Sequence, residues 1–193
     1  MAKRKKKRPI YEPIPPIDLH PRHGWRCSAG NKLFIADRGA AMFEYPRDWI
    51  VRGDEDSIKF RDAEPPDDMV VLAFSYMRVA PVVAECVSLL YLVTHVTEKG
   101  GRRRKIEGWD EPREMRRIDV EIAWRQGYYF EKTHKRTAVT RYGLGRRGSV
   151  QALLTMDFLE EDLDRFGPVW DAVLESLQLD EWIPNLSRGP LLA

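Results

Sequence analysis

Sulfur and imidazole are scarce in this chain: its 193 residues hold two cysteines, Cys27 and Cys86, and four histidines. Two thiols cannot build the disulfide framework of a small secreted scaffold, so reduced thiols in a cytoplasmic setting are the expectation. A long hydrophobic run is also missing. The longest, residues 79–96, is broken by Glu85, Ser88 and His95 and falls short of the roughly 20 apolar residues that a membrane helix needs. It reads as a buried helix, and no transmembrane segment is expected. The basic N-terminus is followed by Pro9-Ile10-Tyr11-Glu12-Pro13-Ile14-Pro15-Pro16 rather than by an apolar stretch, which argues against a signal peptide. G-x-S-x-G and Walker-type loops are absent too, which removes two common routes to nucleophilic and phosphoryl chemistry.

What remains is ordinary for a globular protein: 43% hydrophobic and 32% charged residues exclude wholesale disorder. The length suits one domain. The charge is unevenly placed. The formal net charge is +2, and Lys3, Arg4, Lys5, Lys6, Lys7 and Arg8 supply +6, which leaves −4 for residues 9–193. Residues 1–31 also contain five of the thirteen prolines and show no sustained periodicity, so they read as a basic, proline-rich arm. Residues 32–180 read as the single domain, and residues 181–193 as an irregular tail.

Within the domain, residues 32–36 and 41–45 form a hairpin around Asp37-Arg38-Gly39. Pro46 cannot donate to a sheet ladder and ends the second strand. Trp49 folds back as a core plug, and two short strands follow around Gly53-Asp54-Glu55-Asp56. Residues 69–77 alternate with both faces largely apolar, as a covered central strand does. Pro81 opens a helix carrying Val82, Val83, Cys86, Leu89, Leu90, Val93 and Val96 at spacings of three and four. Residues 97–117 read as a charged connection. Three meandering strands begin near Ile118, Thr137 and Ser149, with Gly143-Leu144-Gly145-Arg146-Arg147-Gly148 as the second turn. The last element is helical, with Leu159, Leu163, Phe166, Trp170, Val173, Leu174 and Leu177 in one stripe, a restart at Gly167-Pro168 and an end near Leu179.

A strand ending in Tyr45-Pro46 with Trp49 three residues on, then Ser57-Ile58-Lys59-Phe60, a long apolar strand, a helix, a meander and a helix ending Ser176-Leu177-Gln178-Leu179 resembles the PsbP-like superfamily over residues 32–180. The resemblance implies an α+β fold, a central antiparallel β-sheet sandwiched by helices. It also implies binding rather than catalysis, since members hold different partners and share no catalytic apparatus.

Candidate chemistry is thin. His20, His23 and Cys27 stand at H-x2-H-x3-C spacing, which would need a fourth ligand to hold zinc; two exposed histidines and a small thiol are the plainer reading. Cys86 falls on the apolar helix stripe, where a thiol is usually inert. The acidic groups Asp54, Glu55, Asp56, Asp67, Asp68, Glu160, Glu161, Asp162 and Asp164 lie in turns and at a helix start, where water and the helix dipole favour them. The glycine-rich run 143–148 joins two strands, whereas a phosphate cradle leads from strand to helix. No cofactor, metal site or catalytic residue is therefore assigned. An enzyme would require His134 or His95 beside a carboxylate in a deep polar pocket.

The expected function is a noncatalytic adaptor domain with another protein as partner. The alternative is a nucleic-acid-associated protein using Lys3, Arg4, Lys5, Lys6, Lys7 and Arg8. It would add Arg102, Arg103, Arg104, Lys105, Arg113, Arg116, Arg117, Lys132, Lys135, Arg136, Arg141, Arg146 and Arg147, with Tyr128, Tyr129, Phe130 and Tyr142 as stacking aromatics.

Overall fold

The computed structural model describes residues 14–80, 86–100 and 106–190. In chain order the strands are β1 (Asn31–Ala36), β2 (Ala41–Pro46), β3 (Ile50–Gly53), β4 (Ile58–Arg61) and β5 (Val70–Arg78). They continue with β6 (Ile106–Trp109), β7 (Arg113–Arg116), β8 (Glu121–Glu131), β9 (Arg136–Arg147), β10 (Val150–Leu159) and β11 (Gln178–Leu179). Two helices are described, α1 (Leu89–Gly100) and α2 (Leu163–Ser176). The main sheet runs β3-β4-β5-β10-β9-β8-β6, with β7 also on β8; a small sheet runs β1-β2-β11. Every pairing in both sheets is antiparallel. The fold is thus α+β and sheet-dominated.

The two helices meet different residues of the same strands. In the β8–β9 register, Ala123 faces Leu144, while Ile122 faces Gly145 and Trp124 faces Gly143. Successive side chains alternate between faces. Ala123 and Leu144 pack with Leu89 and Val93 of α1. Ile122 and Trp124 belong to the larger core with Phe166, Trp170, Val173 and Leu174 of α2. That core continues into the small sheet, where the rings of Phe34 and Phe43 lie with centroids 5.2 Å apart and 5.1–5.6 Å from those of Phe60 and Phe74 in the main sheet. Such tilted and edge-on pairs add about 0.5–1.5 kcal/mol each beyond their buried area. Trp49 is buried, its ring 6.4 Å from Phe166.

The glycine-rich run 143–148, whose glycines stand at G-x-G-x-x-G spacing, is not a turn. It continues β9 as far as Arg147, and the reversal falls at Gly148-Ser149. The reason is overhead packing. A Cβ on Gly143 would come within 3.0 Å of the Trp170 ring, and one on Gly145 within 2.8 Å of Leu177 Cδ2. Mid-strand glycines here let α2 and its exit lie directly on the sheet.

Other boundaries differ from the sequence reading. The connection 97–117 contains the end of α1 and both β6 and β7, short strands that the long β8 recruits along its edge; residues 101–105 lie outside the described residues. Pro81, Val82 and Val83 lie outside them as well. Helix α1 runs from Leu89 because the Ser88 hydroxyl accepts the Tyr91 N–H at 3.1 Å, as a capping residue does. Cys86, placed on the apolar stripe, is exposed. Strand β8 starts at Glu121, since Arg117 N–H bonds the Val120 carbonyl (3.1 Å) and leaves Ile118 in an exposed turn. Helix α2 passes through Gly167-Pro168 without a restart. It ends at Ser176, where the Leu177 backbone turns extended and feeds β11.

Residues 14–30 have no regular strand or helix yet lie on the same chain. Ile14 N–H bonds the Val51 carbonyl (3.0 Å), and His20 and Gly24 N–H groups bond the carbonyls of Ser187 and Arg188. The Trp25 indole N–H reaches the Leu186 carbonyl at 2.7 Å. Among the described residues no helix is long and apolar enough to cross a membrane.

Candidate interaction site

The residues singled out in the sequence are mostly not brought together. Lys3, Arg4, Lys5, Lys6, Lys7 and Arg8, and Arg102 to Lys105, lie outside the described residues. Of the basic residues meant to line one face, Arg141 and Arg146 are buried, and Arg117 is spent on Asp119 at 2.6 Å and on the Leu174 carbonyl. The aromatics disperse as well. Tyr129 is buried, Tyr128 and Tyr142 are half-buried, and Phe130 alone of the four is exposed, at 53%. Alternation along β8 also sends Tyr128 and Tyr129 to opposite faces. A stacking platform is therefore not assembled.

His20, His23 and Cys27 do not converge, and no group of three or more His, Cys, Asp or Glu that could hold a metal ion occurs among the described residues. Cys27 turns instead to Glu44. Desolvation, and then the charge and hydrogen bonding of Glu44, push its thiol pKa up. His134 does sit beside a carboxylate, with Nδ1 3.1 Å from Glu131 Oε2, but the pair stands on the exposed β8–β9 hairpin tip. His95 stacks on Tyr91 (5.5 Å) along α1. Several acidic groups pair locally: Asp54 with Lys59, Glu64 with Arg52, Asp68 with Arg61.

The most organised surface lies at the other end of β9. Three segments meet there: the 3₁₀ turn Asp37–Gly39, the β9–β10 turn at Arg147-Gly148-Ser149, and residues 180–183 after β11. Asp37 (φ 40°), Arg38 (φ 57°) and Asp180 (φ 54°) all sit in left-handed backbone, with Gly39 at φ 103°. For non-glycine residues that conformation costs roughly 1–2 kcal/mol each, so it persists only where neighbours impose it. The neighbours are visible. Asp180, Glu181 and Ile183 N–H groups bond the carbonyls of Ala40 (3.0 Å), Gly39 (3.0 Å) and Arg38 (2.8 Å). A Cβ on Gly39 would sit 3.0 Å from the Glu181 carbonyl oxygen, so no other residue fits without parting the two segments.

Side chains lock the same junction. Asp180 Oδ2 accepts the Ser149 N–H at 3.0 Å. The Arg78 guanidinium lies 3.5 Å from Asp180 and 3.7 Å from Asp37. Arg147 pairs with Glu181 and bonds the Leu179 carbonyl at 3.1 Å. The Tyr76 hydroxyl bonds Asp37; desolvation first, and the Asp37 charge second, raise its pKa. On this frame stands Trp182, 66% exposed, with the Arg38 guanidinium carbon 5.7 Å from its ring centroid. Sequence reasoning missed this site. The only available signal was an unpaired tryptophan in a segment, Asp180-Glu181-Trp182-Ile183-Pro184, with no helical or strand period to bury it.

The architecture that carries this junction is PsbP-like. The cyanobacterial PsbP (CyanoP) structure from Synechocystis sp. PCC 6803 superimposes with a TM-score of 0.56, at 12% identity, over 81% of this chain and 99% of that one. A Bacteroides thetaiotaomicron structure matches with a TM-score of 0.53 at 13% identity; the match covers 79% of this chain, which spans 49% of that protein's length. At those identities the likeness is one of fold. Within the fold class, the signature of the Alr1449 family matches residues 32–183, and the chain belongs to that family. The uncharacterized protein alr1449 of Nostoc sp. (strain PCC 7120) is 33% identical over 190 residues, covering 98% of this chain and 97% of that one.

Proposed function

We propose that this chain is a noncatalytic protein-binding domain, an α/β/α sandwich whose contact surface is the junction around Trp182. The observation that carries the reading is a tryptophan two-thirds exposed on backbone that two other segments hold in place. Trp and Arg dominate binding hot spots, and an anchor already fixed before binding loses little entropy when a partner covers it. Arg38 beside Trp182 supplies both residue types at one point.

The test is a pull-down from the native host with the full chain and with Trp182→Ala. Trp182 is outside the core, so the substitution should move stability by no more than about 0.5 kcal/mol, while capture of a specific partner falls at least about tenfold, as loss of a hot spot implies. Equal capture by both proteins would sink the reading.

A second reading has one observation of its own. Phe130, Lys135 and Arg136 line an open hollow at the β8–β9 hairpin tip with Thr137, Glu160 and Glu161, where an exposed ring beside cations would suit a nucleic-acid strand. It predicts binding that weakens steeply with salt and drops on deleting residues 1–8. The Arg136–Glu161 ion pair in the same hollow weighs against it.

A further inference from the structure

Three arginines are buried in the main sheet, and they differ in what meets their charge. Arg125 donates to the Asp110 carbonyl and the Thr97 hydroxyl and has the Glu98 carboxylate at 3.7 Å. Arg146 donates to the Val87 carbonyl and Gln151. Arg141, 7% exposed, points to the α2 side of β9. Its Nε donates to Gln126 Oε1 at 2.8 Å and its Nη1 to the Gly167 carbonyl at 3.2 Å, both neutral acceptors. The guanidinium carbon lies 5.3 Å from the Trp124 ring centroid and 5.7 Å from that of Phe158. Among the described residues no carboxylate stands within ion-pair distance; Asp171 and Asp110 act on it only from farther off. Its Nη2 has no acceptor there, yet it is not among the nitrogens sealed from solvent.

A cation held this deeply in neutral surroundings is unfavourable unless an anion completes it. The structure around it is already arranged for one. Gly167 has no side chain, and within 4 Å of a Cβ placed there only Nη2 (3.5 Å) and Nη1 (3.9 Å) of Arg141 would be met, so no other side chain fills the space beside that nitrogen. Arg113, from the strand on the other side of β8, places a second guanidinium 4.6 Å from the same Trp124 ring, in a 3.8 Å ion pair with Asp110. The local charge is therefore two guanidinium groups against one carboxylate paired with Arg113, Asp110, and a second, Asp171, outside ion-pair distance of Arg141. We infer that Arg141 is an oxyanion-binding residue, which receives one carboxylate or phosphate group at Nη2 between α2 and the Trp124 ring, with Arg113 as a longer-range attractor. This site lies six residues along β9 from Arg147, about 20 Å at strand rise, and stands or falls independently of the Trp182 surface.

The probe is inorganic phosphate in one arm and citrate in the other, each titrated at constant ionic strength against chloride while the arginine side-chain N–H signals of the full chain are followed by NMR. Saturable movement of the Arg141 signal, larger than that of the exposed Arg38 and Arg188, is the expected result. Phosphate alone, citrate alone or both assigns the group taken. Arg113→Gln, an exposed change, should weaken the binding about threefold to tenfold, the size expected for one screened charge contact. No movement of Arg141 with either anion, or uniform non-saturating drift of all arginines, overturns the inference. Arg141→Gln should abolish the effect if it folds, but the wild-type titration decides the matter without it.

Discussion

At its Arg147 end β9 enters a junction tied to residues more than 100 positions away in sequence, whereas at its Arg136 end it leaves a hairpin tip tied chiefly to itself. The Ile183–Arg38 and Glu181–Gly39 backbone bonds close the first across the whole chain. In the second, Glu131 accepts the His134 N–H at 2.6 Å, three residues on, and Arg136 pairs with Glu161. Both ends carry left-handed backbone, at Asp37, Arg38 and Asp180 in one case and at Lys135 (φ 54°) in the other. The difference lies in support. Strain backed by long-range bonds gives a fixed surface, while strain backed by local bonds opens at little free-energy cost. That is why the junction, rather than the more basic tip, is the better place to hold a protein partner.

The comparison breaks most sharply at Gly39. Gly39→Val puts a branched side chain at φ 103° and within contact of the Glu181 carbonyl, so unfolding free energy should fall by about 3 kcal/mol from strain and forced separation together. Chemical denaturation measures the loss, and amide exchange should accelerate at Asp180, Glu181 and Ile183 but not at the tip. Asp180→Ala comes next. It removes the acceptor of Ser149 N–H and one of the two carboxylates beside Arg78, for about 1–2 kcal/mol. The same strain relieved at the tip should do little: Lys135→Gly is expected to change stability by less than about 1 kcal/mol, because relief of the left-handed backbone is offset by glycine's unfolded-state entropy. A large effect at Lys135 would mean that the tip is as constrained as the junction.

The parts legible in the sequence were those where local pattern and final environment agree. Pro46 stops β2, Trp49 is core, and residues 69–77 alternate because β5 buries Val70, Leu72 and Phe74 on one face; the other face, expected to be covered as well, leaves Val71, Ala73 and Ser75 only half-buried. What escaped was set by distant neighbours. Gly143 and Gly145 read as turn residues, but they are strand residues beneath Trp170 and Leu177, and no local pattern records a ring arriving from 27 residues on. Strands β6 and β7 are short, charged and held by β8, so their own residues carry little strand signal. The junction was least legible: a tryptophan usually reads as core, and Trp182 departs from that only because Asp180 and Glu181 are captured by a turn 140 residues earlier.

The smallest effect concerns Glu131, where the comparison is sharpened by pH. Backbone N–H groups of His134 first, then Thr133, hold its carboxyl at a pKa of about 2, against an ordinary value of 4.5. The folded value lies below the unfolded one, so the ionised carboxylate favours the closed tip; that support is present in full above about pH 4.5 and is lost as pH falls toward 2. The group is solvent-exposed, so the consequence should be confined to the hairpin. Followed by NMR, the Glu131 carboxyl carbon and the His134 amide proton should titrate together near pH 2, and Glu131→Gln should remove the transition from the His134 signal. The junction also uses carboxylates, at Asp37, Asp180 and Glu181, but its backbone bonds to Arg38, Gly39 and Ala40 do not titrate. If the His134 amide instead moves with a midpoint near 4.5, the tip is open in solution at all pH values and Glu131 does not hold it.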